Sequence, residues 1–325
     1  MWVSMYDLII RVLQEYDIRP PDSVTPFHGG AGFSGSSIWK VDWNSQDYCL
    51  KQWPQDKPSV HTRQLISRVI PEVQRQGLPI AVPQETNAGR RFLFFENRFW
   101  DLSPWVAGAP IKDRILTEAQ LQSAMQWLAR YHNLSSALMS EKGKSTSLAY
   151  RLKLSQQLLD GQLDRLSGCE IAGLESGLAP LFISHARQKL PMLLQALEHY
   201  AHFEMMLLPA LSDIWSDHVF FEADKVSGVI DFGAIKMDSA CLDLARFLGS
   251  YGGHSDSVMR QGLEYYQLER VLGRNDVELV ELYDRAYVVL AGIQWLIWLG
   301  PEQRVFKQMA IVNRHLKGLA QRIDF

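Results

Sequence analysis

Two aspartates eighteen residues apart carry the clearest chemistry in this chain. Asp213 lies in Leu-Ser-Asp-Ile-Trp-Ser-Asp-His-Val-Phe-Phe (211–221), and Asp231 opens Asp-Phe-Gly (231–233). Between them, the apolar runs 219–221 and 226–230 flank a polar tip, Glu222-Ala223-Asp224-Lys225, which is the pattern of a β-hairpin. One carboxylate just precedes the first strand and the other just follows the second, so the hairpin brings both to one end. There, one acid can accept a hydroxyl proton while the other holds a metal ion on a phosphate.

Other residues could serve the same chemistry. Lys51 sits in Tyr48-Cys49-Leu50-Lys51-Gln52-Trp53, and upstream Gly29, Gly30, Gly32 and Gly35 lead into Ser36. Such glycines let backbone N–H groups approach an anionic ligand without side chains in the way. No Gly-Lys-Ser/Thr follows them as in a Walker loop, and a strand rather than a helix comes next, so they are not a dinucleotide fingerprint. Each residue also has a plainer explanation: a flexible turn, a solvent-facing strand lysine, and for Asp213 a loop-capping aspartate. Asp231 is sharper, because an acid following Val-Ser-Gly-Val-Ile is costly to bury unless a cation or donors compensate it. Mg²⁺ with phosphate oxygens would do so. Asp243 is expected to tether backbone near a helix start, and Asp217 and Asp238 to be solvated or supporting acids. His132 reads as a satisfied core or surface group, and Trp295 and Trp298 as core.

The elements that must position these residues fall into two sorts. In the front part, a helix over 1–18 stops at Pro20-Pro21, and strands over 36–41 and 48–53 join through Asn44 to Asp47. A helix over 59–76 is closed by Gly77 and interrupted or bent at Pro71. Strands over 91–96 and 99–102 complete a small antiparallel sheet. Residues 103–110 have the composition of a linker. Beyond it the pattern is helical: 117–138, with a capping box at Thr117 and Gln120, then 147–166 and 178–206. After the hairpin come 239–251, 256–272, 275–299 and 301–323. A sheet-rich front and a helical back with one embedded hairpin predict a bilobal α+β protein.

Composition narrows the partners. The 325 residues are 47% hydrophobic and 21% charged with a net charge of −3, an ordinary globular balance without the basic field a nucleic-acid binder needs. The three cysteines, Cys49, Cys169 and Cys241, fit neither a zinc spacing nor a disulfide framework, which points to reduced thiols in a cytoplasmic protein. The most apolar segment, 286–300, is too short to span a bilayer comfortably and carries Gln294, so no membrane partner is expected.

Together these residues resemble the aminoglycoside phosphotransferase and choline-kinase-like family of small-molecule kinases, over about residues 24–300. The likeness is most specific over 211–248, through Asp213, Asp231-Phe-Gly and Asp243-Leu-Ala-Arg-Phe-Leu. It implies a protein-kinase-like fold with a nucleotide-binding lobe over 1–102, a hinge over 103–110 and a helical catalytic and substrate lobe over 111–325. It also implies ATP and Mg²⁺ as cofactors and a small-molecule hydroxyl as acceptor. By the same resemblance Asp213 is the catalytic base and Asp231 the metal ligand. Gly30, Gly32, Gly35 and Ser36 cover the phosphates, Lys51 pairs with them, and Ser103 lies in the 102–106 stretch whose backbone reads adenine. His218 occupies the position of a second metal ligand, with a phosphate or Asp231 as its other possible partner.

Three positions depart from the family pattern. Leu211 stands where a histidine is usual, His218 where an asparagine is usual, and the only acid in helix 59–76 to pair with Lys51 is Glu72, beside Pro71. These departures keep open a catalytically weak nucleotide-binding module of the same fold. A protein kinase is disfavoured: no Ala-Pro-Glu follows Asp-Phe-Gly, and Asp-Leu-Ala arrives twelve residues after Asp231. Acceptor identity and oligomeric state stay open.

Overall fold

A computed structural model describes residues 4–27, 35–111, 116–251, 256–306 and 308–323. The chain divides into two compact units, one of Met1–Lys112 with Asp217–Lys236, the other of Asp113–Ser216 with Met237–Phe325.

The first unit is built on an antiparallel sheet. Helix α1 (Met5–Gln14) is capped by Ser4 and Asp7 in a reciprocal box and ends before the expected residue 18, where Asp17 takes a left-handed φ of 59°. Strands β1 (Ser23–Pro26), β2 (Ser37–Trp43), β3 (Gln46–Gln52), β4 (Leu93–Phe95) and β5 (Arg98–Pro104) pair in the order β1-β2-β3-β5-β4. Two-residue turns at Asn44-Ser45 and Glu96-Asn97, all with positive φ, match the twist of the strands they join. Ile9, Val12 and Leu13 of α1 pack with Trp39, Val41, Leu50, Trp100 and Leu102 of the sheet, all buried.

Helix α2 (Val60–Arg75) runs unbroken through Pro71, contrary to the expected interruption. Ile70 and Val73 on either side are fully buried, and their burial outweighs the one backbone hydrogen bond a proline removes. The helix ends as expected at Gly77, whose φ of 85° lets Gly77 N–H reach Gln74 O and Leu78 N–H reach Val73 O. The stretch with linker composition is held at both ends: β5 continues to Pro104, and β6 (Ala109–Pro110) pairs with the hairpin strand β9 (Val219–Glu222). That strand pairs in turn with β10 (Lys225–Val229), with a bulge between Val226 and Gly228. The hairpin therefore forms where the sequence places it.

The second unit is mainly helical. Helix α3 (Glu118–Leu138) starts at the Thr117–Gln120 capping box, both halves of which form. Strand β7 (Glu141–Gly143) pairs with β8 (Met205–Ala210), and β8 with β11 (Lys236–Asp238). These three short strands were not foreseen. The expected helix over 147–166 is α4 (Thr146–Gln157), a wide turn through Gly161, and α5 (Leu163–Ser167). That over 178–206 is α6 (Leu178–Ala201), after which the chain turns into β8. Helices α7 (Ala240–Tyr251), α8 (Asp256–Gln267), α9 (Arg274–Leu299) and α10 (Met309–Ala320) follow, with 301–306 non-helical. α9 packs against both α6 and α7, and α3 against α8. No described helix is long and apolar enough to cross a membrane.

Candidate active site

In the first unit the structure brings Lys51, Asp231 and His218 together. The Lys51 ammonium lies 2.9 Å from Asp231 Oδ1, a contact between residues 180 apart in sequence. Lys51 is carried by β3, whose partner β5 places Asp101 directly opposite it. Asp231 follows β10 and adopts a left-handed φ of 60°, a conformation aspartate tolerates better than most residues. Its Oδ1 also accepts from Gly233 N–H at 3.2 Å, and the His218 Nε2 stands 3.9 Å from its Oδ2.

The electrostatics follow from this geometry. Desolvation alone would raise the Asp231 carboxyl, but the Lys51 ammonium, His218 and the hydrogen bonds from Lys51 and Gly233 hold it far below the usual carboxylate range. Desolvation would likewise lower the Lys51 ammonium, and Asp231 with Asp101 more than offsets it, leaving its pKa raised. The pair is therefore ionised on both sides. Asp231 is still reachable, with 34% of its side chain exposed.

The other predicted residues of this unit are less informative. Gly30 and Gly32 lie outside the described residues. Gly35, at a φ of 75°, and Ser36 lead directly into β2. Ser103 lies on β5 opposite Cys49, and its hydroxyl donates to Asp101 Oδ1 at 3.3 Å.

Asp213 belongs to the second unit, where buried groups shape the turn that presents it. Asp243, at the start of α7 and fully buried, accepts from Leu211 N–H at 2.8 Å and Ser212 N–H at 2.6 Å. Ser212 has a φ of 66°, a strained conformation for serine, and these two bonds hold it there. The remaining partner of Asp243 is His132 Nε2 at 3.1 Å, while Nδ1 of the same ring lies 2.8 Å from the Tyr266 hydroxyl. Burial lowers the His132 pKa against the opposing pull of Asp243. The neutral ring then donates from Nε2 to Asp243 and accepts at Nδ1 from Tyr266. Asp243 thus has the tethering role expected of it, and His132 is a satisfied core group.

Arg246 and Asp238 correct or extend the sequence expectations. Arg246, one turn after Asp243 on α7, donates from Nε to Asp213 Oδ1 at 3.0 Å, and its guanidinium stacks 4.6 Å from the Tyr287 ring. The spacing Asp243-x-x-Arg246 is the only sequence signal for it. Asp238, expected to be a solvated or supporting acid, is fully buried. It receives the Ser145 hydroxyl at 2.6 Å, Ser147 N–H at 3.0 Å and Ser239 N–H at 2.9 Å, and so ties the start of α4 to the strand before α7.

Among the described residues no group of three or more His, Cys, Asp and Glu side chains could hold a metal unaided. The cysteines are unpaired, and Cys241 is buried.

Comparison with known proteins adds the family. Residues 23–280 match the model of the phosphotransferase enzyme family. No curated protein matches the chain. Among solved structures, a microcompartment-associated aminopropanol kinase is similar with a TM-score of 0.64 at 15% identity, over 97% of this chain and 95% of that one. Spectinomycin phosphotransferase in complex with ADP and spectinomycin gives 0.61 at 14%, over 95% and 98%. An aminoglycoside phosphotransferase from Alicyclobacillus acidocaldarius gives 0.62 at 12%, over 100% and 97%. At such identities the likeness shows the fold alone, and that fold is the α+β protein-kinase-like one the resemblance implied. Since the family model covers most of the chain and the fold agrees with it, the chain belongs to the phosphotransferase enzyme family.

Proposed function

We propose that the protein transfers the γ-phosphoryl group of ATP to a hydroxyl of a small molecule, with Mg²⁺ as cofactor. The observation that carries this is the Lys51–Asp231 pair. A lysine from the sheet and an aspartate after the hairpin meet at 2.9 Å, both charged, with the carboxylate still accessible. Phosphate oxygens and a divalent cation would satisfy the same two charges when they replace each other's company.

In this scheme Gly30, Gly32, Gly35 and Ser36 cover the phosphates and Lys51 pairs with them. The backbone around Ser103 reads adenine, within a hinge over 103–110 between a nucleotide lobe (1–102) and a catalytic and substrate lobe (111–325). The Asp231 carboxylate, kept ionised by its neighbours, fits the preference of Mg²⁺ for hard oxygen donors completed by nucleotide phosphates. The His218 nitrogen fits that preference poorly, so we assign it to a phosphate oxygen before the metal. When bound, the metal neutralises charge on the phosphates. Asp213, oriented by Arg246, receives the acceptor's proton. The acceptor oxygen forms its bond to the γ-phosphorus as the bond to the β–γ bridging oxygen breaks, and ADP leaves. Most of the rate enhancement comes from positioning and charge stabilisation.

The test is an ADP-release screen over amino alcohols, sugars and aminoglycosides, followed by Asp213→Asn on any acceptor found. Turnover is expected to fall by about 10²–10⁴-fold, the usual contribution of a positioned base, with nucleotide affinity unchanged. Undiminished turnover would remove Asp213 from the mechanism. Tight ATP binding with transfer to no acceptor would instead favour the catalytically weak module that Leu211 and His218 keep open.

A further inference from the structure

The resemblance leaves Lys51 without its usual glutamate, and the structure accounts for Glu72: it is paired with Arg75 one turn along the same helix. Something else must fix the ammonium. Trp53 stands two residues after Lys51, just past the end of β3. The Lys51 ammonium lies 4.0 Å from the centroid of the Trp53 ring, well within cation–π range.

That indole is itself fixed on three sides. Its Nε1–H donates to Asp101, the buried residue facing Lys51 across the sheet. Phe92 meets its ring edge-on at 6.3 Å. Gly233, of Asp-Phe-Gly, approaches so closely that a Cβ there would lie 3.0 Å from Trp53 Cζ3 and 3.2 Å from Asp231 Oδ1. Trp53 therefore carries the lysine on its face, and its rim abuts the Asp-Phe-Gly segment that bears the aspartate.

We propose that Trp53, locked by Asp101, is a positioning residue for Lys51, an aromatic shelf serving where the family uses a helix glutamate. The shelf rests on the nucleotide reading above. An ammonium lying on a fixed π face keeps its stem oriented toward phosphate oxygens once Asp231 turns to the metal. A glutamate would compete with phosphate for the ammonium as an anion, whereas the indole does not.

The experiment measures dissociation constants for Mg·ATP and for adenosine by calorimetry on the full chain, wild type against Trp53→Leu and Trp53→Phe. Only ATP engages Lys51, so a shelf acts on ATP alone. Trp53→Leu should weaken ATP roughly tenfold, the scale of a partly desolvated cation–π contact, and leave adenosine unchanged. Trp53→Phe keeps a weaker π face and loses the bond to Asp101, and should weaken ATP roughly threefold. If Trp53→Leu does not fold, the same split between ATP and adenosine in Trp53→Phe decides. Equal weakening of both ligands, or unaltered ATP binding, overturns the shelf. A wild-type chain that binds no ATP overturns the nucleotide reading and the shelf with it.

Discussion

Asp238 and Asp243 in the second unit are fully buried, Asp231 in the first is partly exposed, and their charges are compensated in opposite ways. Asp238 is enclosed by two backbone N–H groups and by the hydroxyls of Ser145, Thr146 and Tyr283. Asp243 has two backbone N–H groups and the His132 ring. Those donors belong to packed elements and cannot leave without unfolding something. Asp231 has one backbone N–H, the His218 ring at 3.9 Å and one ammonium on a flexible four-carbon stem. The lesson is that fixed donors make a carboxylate part of the frame, while a movable cation leaves it ready to exchange partners.

The sharpest way to break this contrast is Asp231→Asn, which keeps the side chain's shape and its tolerance for positive φ. It should lower kcat/KM by at least about 10²-fold, as loss of a charge-stabilising group does, and abolish the Mg²⁺ dependence of nucleotide binding. Urea unfolding should show a stability change below about 1 kcal/mol, the range of partly exposed pairs. A larger loss would make Asp231 a frame residue like the others. Asp238→Ala is the counterpart. It strands several buried donors and should cost about 3 kcal/mol by the same measurement. A cost near zero would remove the contrast from the other side.

A pH-dependent effect concerns Asp101, whose donors are the Trp53 indole and the Ser103 hydroxyl. Burial pushes its carboxyl up to about 6, above the ordinary 3.8, against the pull of Lys51 and these bonds. A folded pKa above the unfolded one contributes stability below pH 3.8, and that contribution is lost as the pH rises through about 6. Relative to wild type, Asp101→Asn should thus gain stability between pH 4 and 7, on the order of 3 kcal/mol. Thermal melts across that range check it, and a difference independent of pH would contradict the burial of this charge.

Local signals decided much of the architecture in advance. Thr117 with Gln120 marked the start of α3, Gly77 the end of α2, and Glu222 to Lys225 the hairpin tip, because caps and tight turns are made by residues close in sequence. Lys51, Asp213 and Asp231 were identifiable by type and by their place against strands. Where a local signal was ambiguous, packing chose. The apolar run Met205 to Leu208 continues a helical pattern yet forms β8, since a short apolar run fits either element. Pro71 stays helical because its neighbours are buried.

What the sequence by itself determined is the set of chemical groups and the local elements that carry them: a lysine on a strand, an acid before a hairpin and another after it. Only the tertiary structure decided the partners. Lys51 meets Asp231 across 180 residues, Asp213 is oriented by Arg246, and Trp53, bonded to Asp101, lies under the Lys51 ammonium. The physical reason is range. Propensity and capping act over a few residues, whereas ion pairs and ring contacts form between whichever side chains the packed core brings within a few ångströms, and no local pattern encodes that.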